Sequence, residues 1–342
     1  PAALPAYMAG VRLALAAGWT SLLAVELLAS SEGIGYLMVW ARQLFMLDIV
    51  FVCIVVIGLI GVIMDRGIGL LDKKLVHWPH PATAEIRRGP RYQGWQRLQP
   101  WLLPFALVAL WQLTTEQQWV DANILVSPLA VLATTVKGLL DGTLISGMAL
   151  SLGRTLGGLV LGGGLGFALG LLLGLSRNSE RVLGPTLAAI RQIAIFAWVP
   201  LLTAWFGLGE SAKWVFVALA AFFPLFIATQ RSVANLSPQL NEAAQVLRLN
   251  LRQRLRRLIL PGAAPGIFAG LRLSLIYAWL GTIGAEYFMP SNGGIGSQMI
   301  GAQQLLRMDL IMAGMLLVGL TGALLNLIGQ RLEIRATRWR HA

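Results

Sequence analysis

Cysteine, histidine and charge are all scarce in this chain. Cys53 is the only cysteine among 342 residues, which excludes an intrachain disulfide. Three histidines leave little for metal or acid–base chemistry, and two of them share the stretch His77-Trp78-Pro79-His80. That pair is expected to be a linker feature, with no metal bound. Charged residues make up only 12% of the chain, about half the density of a soluble domain. A surface so poor in charge excludes a soluble globule, a disordered chain and a secreted disulfide scaffold. The pattern G-x-x-x-x-G-K-[ST] occurs nowhere, so no nucleotide-hydrolysing loop is expected; Gly162-Gly163-Gly164-Leu165-Gly166 has neither a strand before it nor a Lys after it. No Ser/His/Asp set or pair of carboxylates stands at a catalytic spacing, and no cofactor is expected on the chain.

Apolar residues dominate what is there, at 56%. Uncharged runs near membrane-spanning length are Leu98–Thr115, Thr155–Ser176, Gln192–Gly209, Trp214–Gln230 and Leu310–Gln330. Ile49–Met64 spans if extended back through Phe45. Leu13–Val25 and Leu273–Ala285 each lie between an Arg (Arg12, Arg272) and a Glu (Glu26, Glu286). The expected fold is therefore all-α and polytopic, with about eight transmembrane helices.

The net charge of +12 falls mainly between these runs. It is read as the positive-inside rule, not as nucleic-acid binding. Basic clusters between Arg66 and Arg97, between Arg231 and Arg257, between Arg177 and Arg191, and in the tail from Arg331 to Arg340 define an inner side. The connections Glu116–Asp141, Gly207–Lys213 and Met289–Gln304 then lie outside, and both termini are cytoplasmic. No signal-peptide pattern follows Pro1.

The N-terminal stretch repeats the C-terminal third at an offset of 260. Over residues 1–19, nine of nineteen positions are identical, including Pro1/Pro261, Arg12/Arg272 and Trp19/Trp279. Glu26 matches Glu286. After a slip of one residue, Gly33-Ile34-Gly35 matches Gly294-Ile295-Gly296, and Asp48 matches Asp309. Such repeats often underlie transporter folds. They divide the chain into two final spans of a first copy (1–67), a cytoplasmic linker (68–97), a complete six-span copy (98–335) and a basic tail (336–342). Either the chain is a fragment of a longer tandem protein, or a remnant is fused to a whole unit.

Charges within spans are expensive and mark functional hypotheses. Arg154, Arg272 and Glu286, with Arg12 and Glu26 as their first-copy counterparts, line an anion route or form interfacial and paired charges. Gly158, Gly162, Gly166, Gly170 and Gly174 recur every fourth residue in one span, a spacing that lets another helix backbone approach closely. Gly293-Gly294-Ile295-Gly296 marks a re-entrant turn, a contact for an external partner, or a plain loop. Leu247, Leu251, Leu255 and Leu258 form an apolar stripe on an otherwise basic helix. That helix lies on the membrane or docks in a partner's groove.

Glu242-Ala243-Ala244, then Leu258-Ile259-Leu260-Pro261, carry a resemblance to a known family. The sequence resembles the inner-membrane permeases of binding-protein-dependent ABC transporters, whose signature is E-A-A-x-x-x-G, nine residues, then I-x-L-P. Ser151-Leu152-Gly153-Arg154 and Trp205-Phe206-Gly207-Leu208-Gly209-Glu210 are similar to the nitrate/sulfonate/taurine/bicarbonate branch. The resemblance implies that Glu242, Ala243, Ala244, Arg248, Leu260 and Pro261 belong to a loop that couples to a cytoplasmic ATPase dimer. ATP and Mg would sit on that partner. It further implies an extracytoplasmic substrate-binding protein, a second permease module, and a place in the bacterial inner membrane. Arg248 replaces the family Gly, so either the bend moves to Asn250, which tolerates left-handed geometry, or the coupling loop is altered. An ion-coupled secondary transporter is the alternative, although the mid-span regions hold almost no ionisable groups.

Overall fold

The computed structural model describes residues 4–75, 99–119, 125–236, 249–290 and 293–337, and no strand occurs among them. In chain order the helices are α1 (Leu4–Ala29), α2 (Ile34–Gln43), α3 (Leu47–Leu75), α4 (Gln99–Glu116), α5 (Pro128–Leu140) and α6 (Thr143–Gly158). A π-helical turn (Leu159–Gly163) carries α6 into α7 (Gly164–Leu175). There follow α8 (Arg177–Gln192), α9 (Trp198–Phe206), α10 (Glu210–Ala234) and the short α11 (Leu251–Arg254). A second π turn (Leu255–Ile259) leads into α12 (Leu260–Phe288), then α13 (Ile295–Gln304) and α14 (Met308–Ala336).

Six of these segments are long and apolar enough to cross a membrane: α1, α3, α6–α7, α10, α11–α12 and α14. α8 and α9, bent by 87° at their junction, make a seventh if counted as one span, and α4 is a shorter apolar helix. The uncharged run Gln192–Gly209 is thus not one straight helix. Ile193 and Ala194 leave the helical region with ψ of 122° and 135°, and the chain turns there. α8 itself is polar and has no buried residue; Ser176 caps it by accepting from the Ser179 amide, and Glu180 and Arg191 match its dipole. Helix α3 runs on past residue 67 to Leu75. Residues 76–98, with the two linker histidines, lie outside the described residues.

The packing centre is the antiparallel pair α10 and α12, flanked by α6–α7 and α14. Close approach comes from the glycines spaced by four. A Cβ at Gly162 would run into the Ala218 carbonyl, at Gly166 it would lie 2.5 Å from the Phe222 oxygen, and at Gly170 2.6 Å from the Phe226 oxygen. Gly158 and Gly174 meet Val217 and Val233 in the same way. All five therefore lie along α10, where van der Waals contact must do what the hydrophobic effect cannot do in lipid. A second core joins α1, α2 and α3 to the α8–α9 junction: Leu23, Met38, Cys53 and Ile57 pack against Ala194, Ala197 and Leu201.

Candidate functional site

Charge is rare in these helices, so each buried ion reports on the design. Arg154 on α6 is 4% exposed and Glu286 on α12 is fully buried. Their Nη1 and Oε1 lie 2.6 Å apart. Arg154 also donates through Nε and Nη2 to both oxygens of Glu210 at 2.8 and 2.6 Å, and to the Gly293 carbonyl at 3.1 Å. Glu286 accepts from Ser151 Oγ at 2.7 Å and from the Gly296 amide at 2.8 Å. Lys213, also fully buried, brings its Nζ to 3.9 Å from Glu210. The buried Arg154–Glu286 pair tolerates its desolvation because its remaining hydrogen-bonding capacity is filled in this way, whereas the Lys213 Nζ has no hydrogen-bond partner among the described residues. The network ties α6, α10 and α12 to the Gly293–Gly296 turn, where Gly294 has φ +102° and a Cβ would strike the Glu286 carboxylate. From that turn the short α13 packs back against α6, α12 and α14.

The same backbone geometry recurs in α1–α3. Gly33 has φ +106° against +102° at Gly294, and Phe45 has φ 56° against 54° at Leu306. The Gly35 amide donates to Glu26 Oε2 at 2.8 Å, as the Gly296 amide does to Glu286. Arg12 Nε donates to Asp65 Oδ1 at 2.6 Å, and Arg272 Nε donates to Asn326 Oδ1 at 2.8 Å. Arg272 also lies 3.5 Å from Glu333. Two ion pairs belong to the second set alone: Arg272–Glu333, and Arg307, which donates to Asp309 at 2.8 Å; the latter bond raises the Arg307 guanidinium pKa above its ordinary value.

A cavity of about 1000 Å³ lies between α1 and α3 on one side and α8, α9, α10 and α12 on the other. Arg12, Asp65, Arg191 and Gln192 line one end, where Gln192 Nε2 approaches Asp65 at 3.4 Å. Further in, the wall is aromatic: Phe196 packs on Phe288 with ring centroids 4.9 Å apart and on Phe216 at 6.0 Å, and Trp19, Trp198 and Tyr277 join them. An apolar chamber with a few convergent polar groups at one end suits a small ligand that has a charged head and an apolar body.

Of the five charged residues singled out in the sequence, Arg12 lines this cavity. Arg154 and Glu286 are tied to each other, Arg272 lies between α12 and α14, and Glu26 binds the start of α2. Glu242, Ala243, Ala244 and Arg248 lie outside the described residues. Leu260 and Pro261 form the first turn of α12. Asn250 is not in a left-handed conformation. It opens α11 instead: its Oδ1 accepts from the Gln253 amide at 2.8 Å, and Gln253 Oε1 accepts from the Asn250 amide at 3.1 Å. This reciprocal capping satisfies two backbone donors and fixes where the helix begins.

Ser151, Glu210, Lys213, Asp65 and Gln192 were not identified as site residues from the sequence. Asp65 carried a signal, since it stands at the offset of 261 from Asn326. Glu210 and Lys213, three apart at the head of a span, read in the sequence as a self-contained i,i+3 pair, which gives no signal of Arg154.

The protein-family model described as the binding-protein-dependent transport system inner membrane component matches residues 1–77 and 162–333. The chain is 33% identical over 264 residues to a putative aliphatic sulfonates transport permease of Bacillus subtilis, covering 77% of this chain and 95% of that protein. It is 39% identical over 246 residues to the Escherichia coli protein of the same description, covering 72% and 93%. It is 30% identical over 238 residues to the Escherichia coli taurine transport system permease, covering 68% and 86%. These matches favour a permease over an ion-coupled secondary transporter.

Proposed function

Given that the chain belongs to the family of binding-protein-dependent transport system inner-membrane components, we propose that it forms the membrane path of an ABC importer for a small organic anion of the sulfonate type. The observation that carries the substrate class is the cavity: its aromatic wall suits a short carbon chain, and Arg12, paired with Asp65, stands with Arg191 at the end where an anionic head would compete for that guanidinium. A guanidinium matches an oxyanion through parallel N–H donors. Relatives named for aliphatic sulfonates and taurine support the same class.

In this reading a substrate-binding protein delivers the anion to the outer face, and the termini and basic clusters lie in the cytoplasm. The repeated geometry of α1–α3 and α12–α14 reflects an internal duplication, and a second permease module completes the pore. The loop of Glu242, Ala243, Ala244 and Arg248 docks on a cytoplasmic ATPase dimer that holds ATP and Mg. Closure of that dimer rocks the bundles about the cavity, so that it faces outward and then inward. The Arg154–Glu286–Glu210 cluster keeps α6, α10 and α12 moving as one body.

Co-purification tests the coupling. The tagged chain is expressed with a candidate ATPase subunit, as wild type and as Glu242→Lys, and the detergent-solubilised complex is weighed. A complex that is lost in Glu242→Lys is the expected result. A wild-type chain that binds no ATPase, or equal binding by both forms, contradicts it.

A further inference from the structure

The Glu286 site is complete and the Glu26 site is half built. Glu26 keeps the amide bond to Gly35, yet among the described residues no cation stands within ion-pairing distance of its carboxylate. In the second set that role falls to Arg154, with Ser151 one helical turn before it. The helix face leading to Glu26 is uncovered as well. Gly270, Ser274, Ala278, Gly281 and Ala285 are all buried: Gly270 meets Ala228, Ser274 donates to the Ala221 carbonyl, and a Cβ at Gly281 would lie 2.8 Å from Ala220. Their counterparts Gly10, Ala14, Gly18, Ser21 and Val25 are all exposed, and nothing lies within 4 Å of a Cβ built on Gly10 or Gly18.

Lipid explains neither feature. Small residues give acyl chains little to pack on, and a carboxylate at the edge of the bilayer interior is costly without a partner.

The geometry points to α1 as a receptor face for a membrane helix bearing Ser-x-x-Arg, carried on polypeptide outside these 342 residues. Its arginine pairs with Glu26 as Arg154 pairs with Glu286, and its serine donates to the same carboxylate. This rests on the internal duplication proposed above. The occupant is not α6 of a second copy of this chain, because Arg154 and Ser151 already serve Glu286 there.

The probe is a lipid-embedded peptide of residues 143–175, which carries Ser151 and Arg154. Thr155 Oγ1 lies 2.8 Å from Thr282 Oγ1, and the counterpart of Thr282 is Leu22. The full chain with Cys53→Ala and Leu22→Cys is reconstituted with peptide Thr155→Cys and oxidised. Thr20→Cys, on the cavity side, is the control. The expected result is a disulfide at position 22 in several-fold excess over position 20. Glu26→Gln lowers that yield roughly tenfold, the scale of one interhelical polar contact in a membrane. Glu26→Arg restores it with the Arg154→Glu peptide alone. Equal yields at 22 and 20, or a yield indifferent to Glu26→Gln, overturns the inference. Since no transport is read, loss of uptake with intact cross-linking would count against the transport reading and not against this one.

Discussion

Helices α1–α3 and α12–α14 share a backbone and differ in what surrounds them. Both sets turn through a glycine at φ near +100°, both hold the following short helix with a glutamate, and both tie an arginine on the first long helix to the third. In α12 that glutamate is buried in a four-charge cluster and the helix face is covered. In α1 it has one amide, and the face is bare. The comparison separates what a local sequence imposes from what neighbours impose. Turn geometry travels with the glycines and the glutamate, whereas burial comes from α6 and α10, which only α12 possesses in this chain.

Breaking the comparison at its glutamates gives the largest expected effect. Glu286→Ala strips Ser151, Arg154 and the Gly296 amide of their acceptor, leaving a buried guanidinium with one carboxylate partner. Removing one member of a buried pair costs about 3–5 kcal/mol, so thermal unfolding in detergent, followed by tryptophan fluorescence, falls steeply for Glu286→Ala. Glu26→Ala, which loses one hydrogen bond from the Gly35 amide, shifts it by only about 1 kcal/mol.

Next come the helix faces. Gly162→Leu forces α6–α7 away from α10, against the Ala218 carbonyl, and overpacking of this kind costs about 1–3 kcal/mol. Gly18→Leu meets nothing in the chain and leaves the same melting curve unchanged. The turns come third and should behave alike. Gly294→Ala and Gly33→Ala each place a Cβ at positive φ, in an extended region that is essentially glycine-only, and against a glutamate carboxylate, at about 1–3 kcal/mol of backbone strain. Equal losses in both would show that turn geometry is local; a loss at Gly294 alone would show that the surrounding cluster imposes it.

The smallest effect sharpens the comparison. Asp65→Asn gives the first set the neutral partner that Arg272 has in Asn326. The Arg12–Asp65 pair is half exposed, so its loss costs under about 1 kcal/mol. The readout is salt dependence: the wild-type melting point falls slightly with added salt through this pair, and Asp65→Asn removes that part of the dependence.

Much of this architecture is legible in the residues because membrane spans obey a one-dimensional rule of length and polarity. The runs Trp214–Gln230 and Leu310–Gln330 lie within α10 and α14. The four-residue glycine spacing is visible on paper, and the offset of 260 is visible as identity. Other features depend on three dimensions. The 87° bend after Gln192 arises from two non-helical residues inside an apolar run, where hydropathy gives no warning. The partners of Arg154 come from helices 56 and 132 residues away in sequence, so a linear reading finds the arginine but not the carboxylates around it. With Arg248 in the family Gly position, the sequence leaves open a left-handed bend at Asn250 or an altered coupling loop; the bend is absent, and Gln253 three residues on makes Asn250 a helix cap.

The most direct test of the central claim is uptake. Vesicles holding the chain, its companion module and ATPase, with a binding protein outside, are given a radiolabelled alkanesulfonate and ATP. The account predicts ATP-dependent accumulation that falls at least about tenfold in Arg12→Ala, the scale of losing a charged hydrogen-bond partner, with the complex intact. ATP-dependent accumulation that is unchanged in Arg12→Ala, or no accumulation of any organic sulfonate by an assembled and ATP-hydrolysing complex, would contradict it.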